Sequence, residues 1–283
     1  MALDNFIPEI WSARLLVNLR KFLVYGQAGV VNRDYEGEIK TMGDTVRINS
    51  IGPVTIGDYT KNTNIDDPET LTDAQTTLVI DQAKYFNFQV DDIDRAQQNP
   101  KVMDDAMTEA AYGLRDVADQ YIAGLYTGVA AGNSIGDDTT PIVPTKTDAY
   151  EHLVDLGVLL TDAKIPLNGR WVVVPPWFYG LLLKDDRFVD ASKSGSTEAL
   201  RNGQVGRAAG FDVLQSHNVP NTTGTKYKII AGHPMAISYA EQINSVEAYR
   251  PEKRFADAVK GLHLYGSKLV RPEAIAVLTA NKG

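Results

Sequence analysis

Residues 99–128, NPKVMDDAMTEAAYGLRDVADQYIAGLYTG, restrict the possible folds of this chain more than any other stretch. Asn99 is a good N-cap, and Pro100 falls at the first helical position, where its missing N–H costs nothing. Asp104 and Asp105 follow, where the helix dipole favours acids. Met103, Met107, Ala110, Leu114, Val117, Tyr121 and Leu125 recur at steps of three and four and predict one apolar face. Asp105, Glu109, Arg115, Asp116 and Asp119 fall largely off it. Gly128 and the small residues after it stop the helix. Such a helix is about 43 Å long, well over twice the ordinary globular length. Taken alone it could be a long core helix, so its neighbours must decide what it supports.

The segment before it reads as β-structure. Val46 and Ile48 alternate with Arg47 and Asn49, Leu78 and Ile80 with Val79 and Asp81, and Phe86, Phe88 and Val90 with Asn87 and Gln89. Between the first two runs lie residues 52–75, rich in Thr, Asp, Asn and Gly. The pattern predicts a long antiparallel hairpin with a polar tip, in which residues 76–90 form one strand of roughly 50 Å. A two-stranded ribbon is marginal in water. Its apolar positions Val46, Ile48, Leu78 and Ile80 are therefore expected to need a partner surface, from the same chain or from another copy. Residues 1–34 are similarly apolar, with Trp11, Leu15 and Phe22 among others. They predict either a helix docked on its own core or an arm lying along a neighbour.

After the long helix, residues 133–147 form a polar loop. Asp148 then starts a helix to about residue 163, with Leu153, Leu156, Leu159 and Leu160 on its apolar side. Residues 170–174 predict a buried strand, and Pro175 and Pro176 open a short helix. A glycine-bearing loop covers 192–210. Short strands are expected at 211–215, 227–231, 236–239 and 245–249, then at 262–265, 268–271 and 274–279, the last three joined by tight turns.

Catalytic frameworks are missing. The chain holds no GxGxxG, Walker-type GxxxxGK, HExxH, GxSxG or EF-hand loop. It has no cysteine, and His152, His217, His233 and His263 share no metal-ligand spacing. Ser216 and His217 are adjacent, so on a strand they point apart. Asp66–Asp67 and Asp185–Asp186 read as solvated loop charges. No cofactor and no metal are expected. A formal net charge of −8 argues against a surface built to grip nucleic acid. No stretch is apolar and long enough to span a bilayer, and no signal peptide is seen.

The order of these parts resembles the major capsid protein of tailed bacteriophages, the Hong Kong 97 fold. Local strings carry the likeness too: FIPEIWSARLL at 6–16, VNRDYEGEI at 31–39, GDTVRI at 43–48, RWVVVPPWFYGLLL at 170–183 and GLHLYGSKLVRPEAIAV at 261–277. The resemblance implies an α+β fold with an N-terminal arm at 1–34 and a hairpin, the E-loop, at 35–84. It implies a peripheral domain at 85–148 containing a spine helix at 99–128, an axial domain at 149–244, and a return to the peripheral domain at 245–283. It further implies a structural, non-enzymatic subunit of an icosahedral virion that forms hexamers and pentamers around double-stranded DNA. Contacts between copies would involve Trp11, Leu15, Phe22, Val46, Ile48, Tyr59, Leu78 and Ile80, while Met107, Leu114 and Tyr121 would face the core. Because the sequence opens on the arm, scaffolding would fall to a separate protein, with a portal as another partner, and assembly would take place in the host cytoplasm. Some relatives join copies through a Lys–Asn bond; Lys61 is a conceivable donor, but no partner can be assigned. Two other readings compete: a cellular nanocompartment shell of the same fold, and a hydrolase or binding module whose site escapes notice.

Overall fold

The structure, a computed structural model, describes residues 24–35, 43–51, 56, 58, 59, 61, 62, 64, 73–91, 102–185, 206–253 and 255–282. Trp11, Leu15, Phe22 and residues 192–205 of the glycine-bearing loop lie outside them.

β1 (Thr45–Ile51) and β2 (Asp73–Val79) form the expected antiparallel hairpin, with Val46 opposite Leu78. Two backbone hydrogen bonds close its root: Gly43 N–H to the Ile80 carbonyl at 3.0 Å, and Ile80 N–H to the Asp44 carbonyl at 3.1 Å. The chain then continues as β3 (Gln82–Asp91). The single strand expected over 76–90 is therefore broken at Ile80 and Asp81.

β3 belongs to a different sheet, ordered β10–β11–β3, with β10 at Ile237–Tyr249 and β11 at Ala256–Leu269. All its pairs are antiparallel. Each of the two long strands joins segments whose patterns predict separate shorter strands. The turn expected at Gly266 and Ser267, between strands 262–265 and 268–271, is absent: both residues sit inside β11. The bareness of Gly266 has another cause: a Cβ there would lie 2.3 Å from the Val79 carbonyl oxygen. Gly266 is where the chain leaving the hairpin crosses the sheet.

The two faces of this sheet carry different loads. Along β11, Val259, His263 and Tyr265 share one face and Leu262 and Leu264 the other. The first face lies under α1 (Val102–Ala123), where the Tyr121 and Tyr265 rings meet edge-on at 5.5 Å. The helix is shorter than the 99–128 span, because it tightens into a 3-10 turn over Gly124–Gly128. Its buried stripe is Met107, Ala111, Leu114, Ala118 and Ile122, with Asp119 beside it. Tyr121 is half-buried and Val117 is 40% exposed, so the stripe is rotated from the expected face. Ala111 and Ala118 are the smallest side chains available, and they let the backbone approach the sheet where larger residues would hold it off.

The remaining strands build a mixed seven-stranded sheet, ordered β4–β12–β9–β5–β7–β6 with β8 on β9. These are β4 (Ser134–Ile135), β5 (Trp171–Val174), β6 (Arg207–Ala208), β7 (Phe211–Gln215), β8 (Asn221–Thr222), β9 (Lys226–Gly232) and β12 (Ile275–Asn281). Two helices pack on it, α2 (Ala149–Asp162) and α3 (Pro176–Leu183). Leu153, Leu156 and Leu160 of α2 are fully buried. The strand β12 joins this sheet, between β4 and β9, and not the three-stranded one. The short turn at Pro272–Ala274 redirects the chain, so β10 and β11 join β3 in one sheet while β12 joins the other.

Candidate assembly interface

The hairpin is anchored at one end and bare at the other. Val46, Ile48, Leu78 and Ile80 were expected to stay wet on a lone subunit; instead all four are buried. They pack on Ala240 and Leu264, with Tyr35, Leu262 and Val270 at the margin. This corrects their assignment as contacts to another copy: the same chain supplies the surface, because the root folds back over the face of β10 and β11 opposite the helix. At roughly 25 cal/mol per Å² of buried apolar area, such a cluster is worth several kcal/mol to the subunit itself. The tip behaves otherwise. Ile56 is 95% exposed and Tyr59 71%, with Lys61 beside them also in solvent. A large apolar side chain held that far into water is the kind of group that a partner covers.

Residues 24–35, which connect residues 1–23 to the hairpin, are fixed by two buried carboxylates that no sequence pattern revealed. Asp119 of α1, placed off the apolar face by its spacing, is fully buried. It accepts backbone N–H groups from Val24 at 2.9 Å, Tyr25 at 3.1 Å and Gly26 at 3.2 Å. Burial pushes its carboxyl up, and the three N–H groups and Arg115 pull it part of the way back, to about 6. Glu241 of β10 is the second. Arg33 pairs with its Oε1, Tyr239 donates to its Oε2 at 2.7 Å, and His263 Nε2 lies 3.3 Å from the same oxygen. Burial alone would raise this carboxyl; the His263 hydrogen bond and the Arg33 charge reverse that, to about 2. The Arg33 guanidinium also donates to the Gly26 carbonyl at 2.8 Å and lies over the Tyr239 ring. The only sequence signal was circumstantial: an acid within an apolar strand, and an aspartate one step off an apolar stripe.

Other exposed apolar groups mark surfaces that the subunit does not cover by itself. Tyr85 of β3 is 79% exposed and Phe255, just before β11, 83%. Tyr112 and Val117 lie on the outer side of α1, and Val154 and Val158 on that of α2. Nothing here converges as a catalytic site would. Among the described residues no three of His, Cys, Asp and Glu cluster to hold a metal. His263 is spent on Glu241, while Lys228 reaches from β9 to Asp138 at 2.7 Å and ties the 133–147 loop to the sheet. An open cleft between residues 28–34 and the Pro234–Met235 turn includes Arg33, already paired with Glu241.

Comparison with known proteins agrees with this geometry. The chain matches the family model described as phage capsid protein over residues 72–278. No curated protein matches it. It is similar to a solved structure from Mycobacterium phage Che8, at 30% identity over 98% of each chain, with a TM-score of 0.74. It shares its fold with the capsid of Cyanophage P-SCSP1u, at 16% identity over 87% of this chain and 85% of that one, TM-score 0.69. The virus-like particle from Pyrococcus furiosus is more distant in shape, at 16% identity over 96% of this chain and 98% of that one, TM-score 0.54. With a long helix across one face of a long-stranded sheet, a hairpin rooted on the other and a second mixed sheet beyond, the chain belongs to the phage capsid protein family, as an α+β structural subunit of a virion shell with the Hong Kong 97 fold.

Proposed function

We propose that copies of this chain form hexamers and pentamers that close into an icosahedral shell around double-stranded DNA, and that the subunit carries out no catalysis. The observation that carries this reading is the hairpin: its root is held by the chain's own sheet, while its tip presents Ile56 and Tyr59 to solvent. Residues 35–84 then act as the reaching E-loop, 1–34 as an arm, and α1 as the spine. The formal charge of −8 suits a wall that confines DNA without gripping it. A separate scaffolding protein and a portal complete the assembly, which takes place in the host cytoplasm. The nanocompartment alternative is less well supported, since the matching family model is that of a phage capsid protein and similar solved structures come from phages.

Replacing residues 56–67 by a short Gly-Ser turn tests the reading. The root cluster survives in that variant, so circular dichroism of the subunit should stay near native. Electron microscopy should show no closed particles where the unaltered protein gives them. Normal shells from the variant would overturn the proposed role of the tip.

A further inference from the structure

The three-stranded sheet has two outer edges, and the chain treats them differently. Along β10, Asn32 forms a parallel bridge with Ser238. Asn32 N–H donates to the Ile237 carbonyl at 2.8 Å, and Tyr239 N–H to the Asn32 carbonyl at 2.9 Å. β10 also carries a register shift between Ile243 and Ser245. Covering and bulging are two of the ways in which natural sheets keep an edge from pairing with a stranger.

Among the described residues, β3 has neither protection. It pairs with β11 from Gln82 opposite Tyr265 to Asp91 opposite Ala256, with no register shift. It contains no proline, and Lys84 is its only charge before Asp91. No described residue pairs with its other side. In an antiparallel edge strand every second N–H and C=O points away from the ladder. Among the described residues, the backbone groups on the outer side of this ten-residue strand, about every second one, are therefore unmet. Half-buried Phe86 and Phe88, whose rings stack at 6.0 Å, flank it on the helix side, and exposed Tyr85 on the other.

We propose that the free edge of β3 takes an extended segment from a second copy of this chain, which adds a fourth strand to the sheet. The inference rests on the shell reading, in which the neighbours of a subunit are copies of itself. Charge does not oppose that occupant at this edge. Two copies at −8 each repel one another at a distance, and a nearly neutral edge is where their approach is least opposed. Backbone pairing there asks for no complementary charge, only for a strand of ordinary composition.

Proline scanning tests this directly. Successive N–H groups of a strand alternate in direction, so of Lys84→Pro and Asn87→Pro one removes an outward N–H and the other breaks the ladder to β11. The variant that keeps the circular dichroism and melting of the unaltered subunit should lose closed particles. If that folded variant assembles in normal yield, the proposal is wrong. Should neither variant fold, hydrogen exchange of the unaltered protein decides the matter. Alternate β3 amides should exchange fast in free subunits and become protected in particles, and equal exchange in both states would overturn the inference. Unaltered protein that forms no particles at all would sink the shell reading itself, a failure distinguishable because it needs no variant.

Discussion

The two sheets of this subunit are built on opposite principles. The middle of the seven-stranded sheet is largely apolar, apart from the Lys228–Thr279 pair: Trp171–Val174 of β5 are all buried, as are Ile275–Ala280 of β12. Helices cover it, and its strands are short. The three-stranded sheet has long strands, buries Glu241 and His263 among its aromatics, and covers its second face only as far as the hairpin root reaches. The first is a self-sufficient core. The second is a frame whose parts are held by specific polar ties and which leaves large apolar side chains such as Tyr85 and Phe255 exposed.

If that contrast is right, the largest effect should come from breaking a polar tie. Glu241→Ala leaves the Arg33 guanidinium beside Tyr239 without its carboxylate and should cost about 3–5 kcal/mol. Chemical denaturation measures it, and a loss under about 1 kcal/mol would put the two sheets on the same footing. The second effect is pH-dependent. Asp119 has its carboxyl raised from 3.8 to about 6 in the folded chain, so the folded state holds a proton that the unfolded one has released between those values. Its contribution is most favourable below 3.8 and is lost as pH rises through 6, by roughly 3 kcal/mol in all. Glu241, lowered from 4.5 to about 2, runs the other way: its contribution is present above 4.5 and is lost as pH falls through 2. Asp119→Asn should therefore flatten stability between pH 3.8 and 6 without touching the acid limb below 3.8. An unchanged slope in that window would show that Asp119 does not titrate there. The smallest effect should be local. Gly266→Ala drives a methyl against the Val79 carbonyl and should cost about 1–3 kcal/mol. It should speed hydrogen exchange in β1 and β2 while leaving β5, β9 and β12 protected. Uniform exchange changes across both sheets would argue against a separable hairpin.

The same contrast explains what could be read beforehand. The apolar run at 170–174, the helix after Asp148 and the alternation in the hairpin are set by neighbours within a few residues, so spacing revealed them. Asp119 is buried because it caps N–H groups more than ninety positions away, and Glu241 because Arg33 lies 208 positions upstream. No periodicity encodes such distances. Gly266 misled for a related reason: glycine signals both a turn and a close crossing, and only the path of Val79 separates the two. The hairpin root misled because alternation shows that a face is apolar without showing whose surface covers it.

The 208 positions between Arg33 and Glu241 also impose an order in time. A ribosome adds roughly 5–20 residues each second, so residues 24–35 wait on the order of ten to forty seconds before their second anchor exists. β3 waits nearly as long for β11. Residues 24–35 cannot be locked to β10 until most of the chain has been made, and this segment is thus among the last to settle. A nascent chain of this kind cannot present a finished edge to its neighbours early, and each subunit reaches the pool of assembling copies as a completed piece.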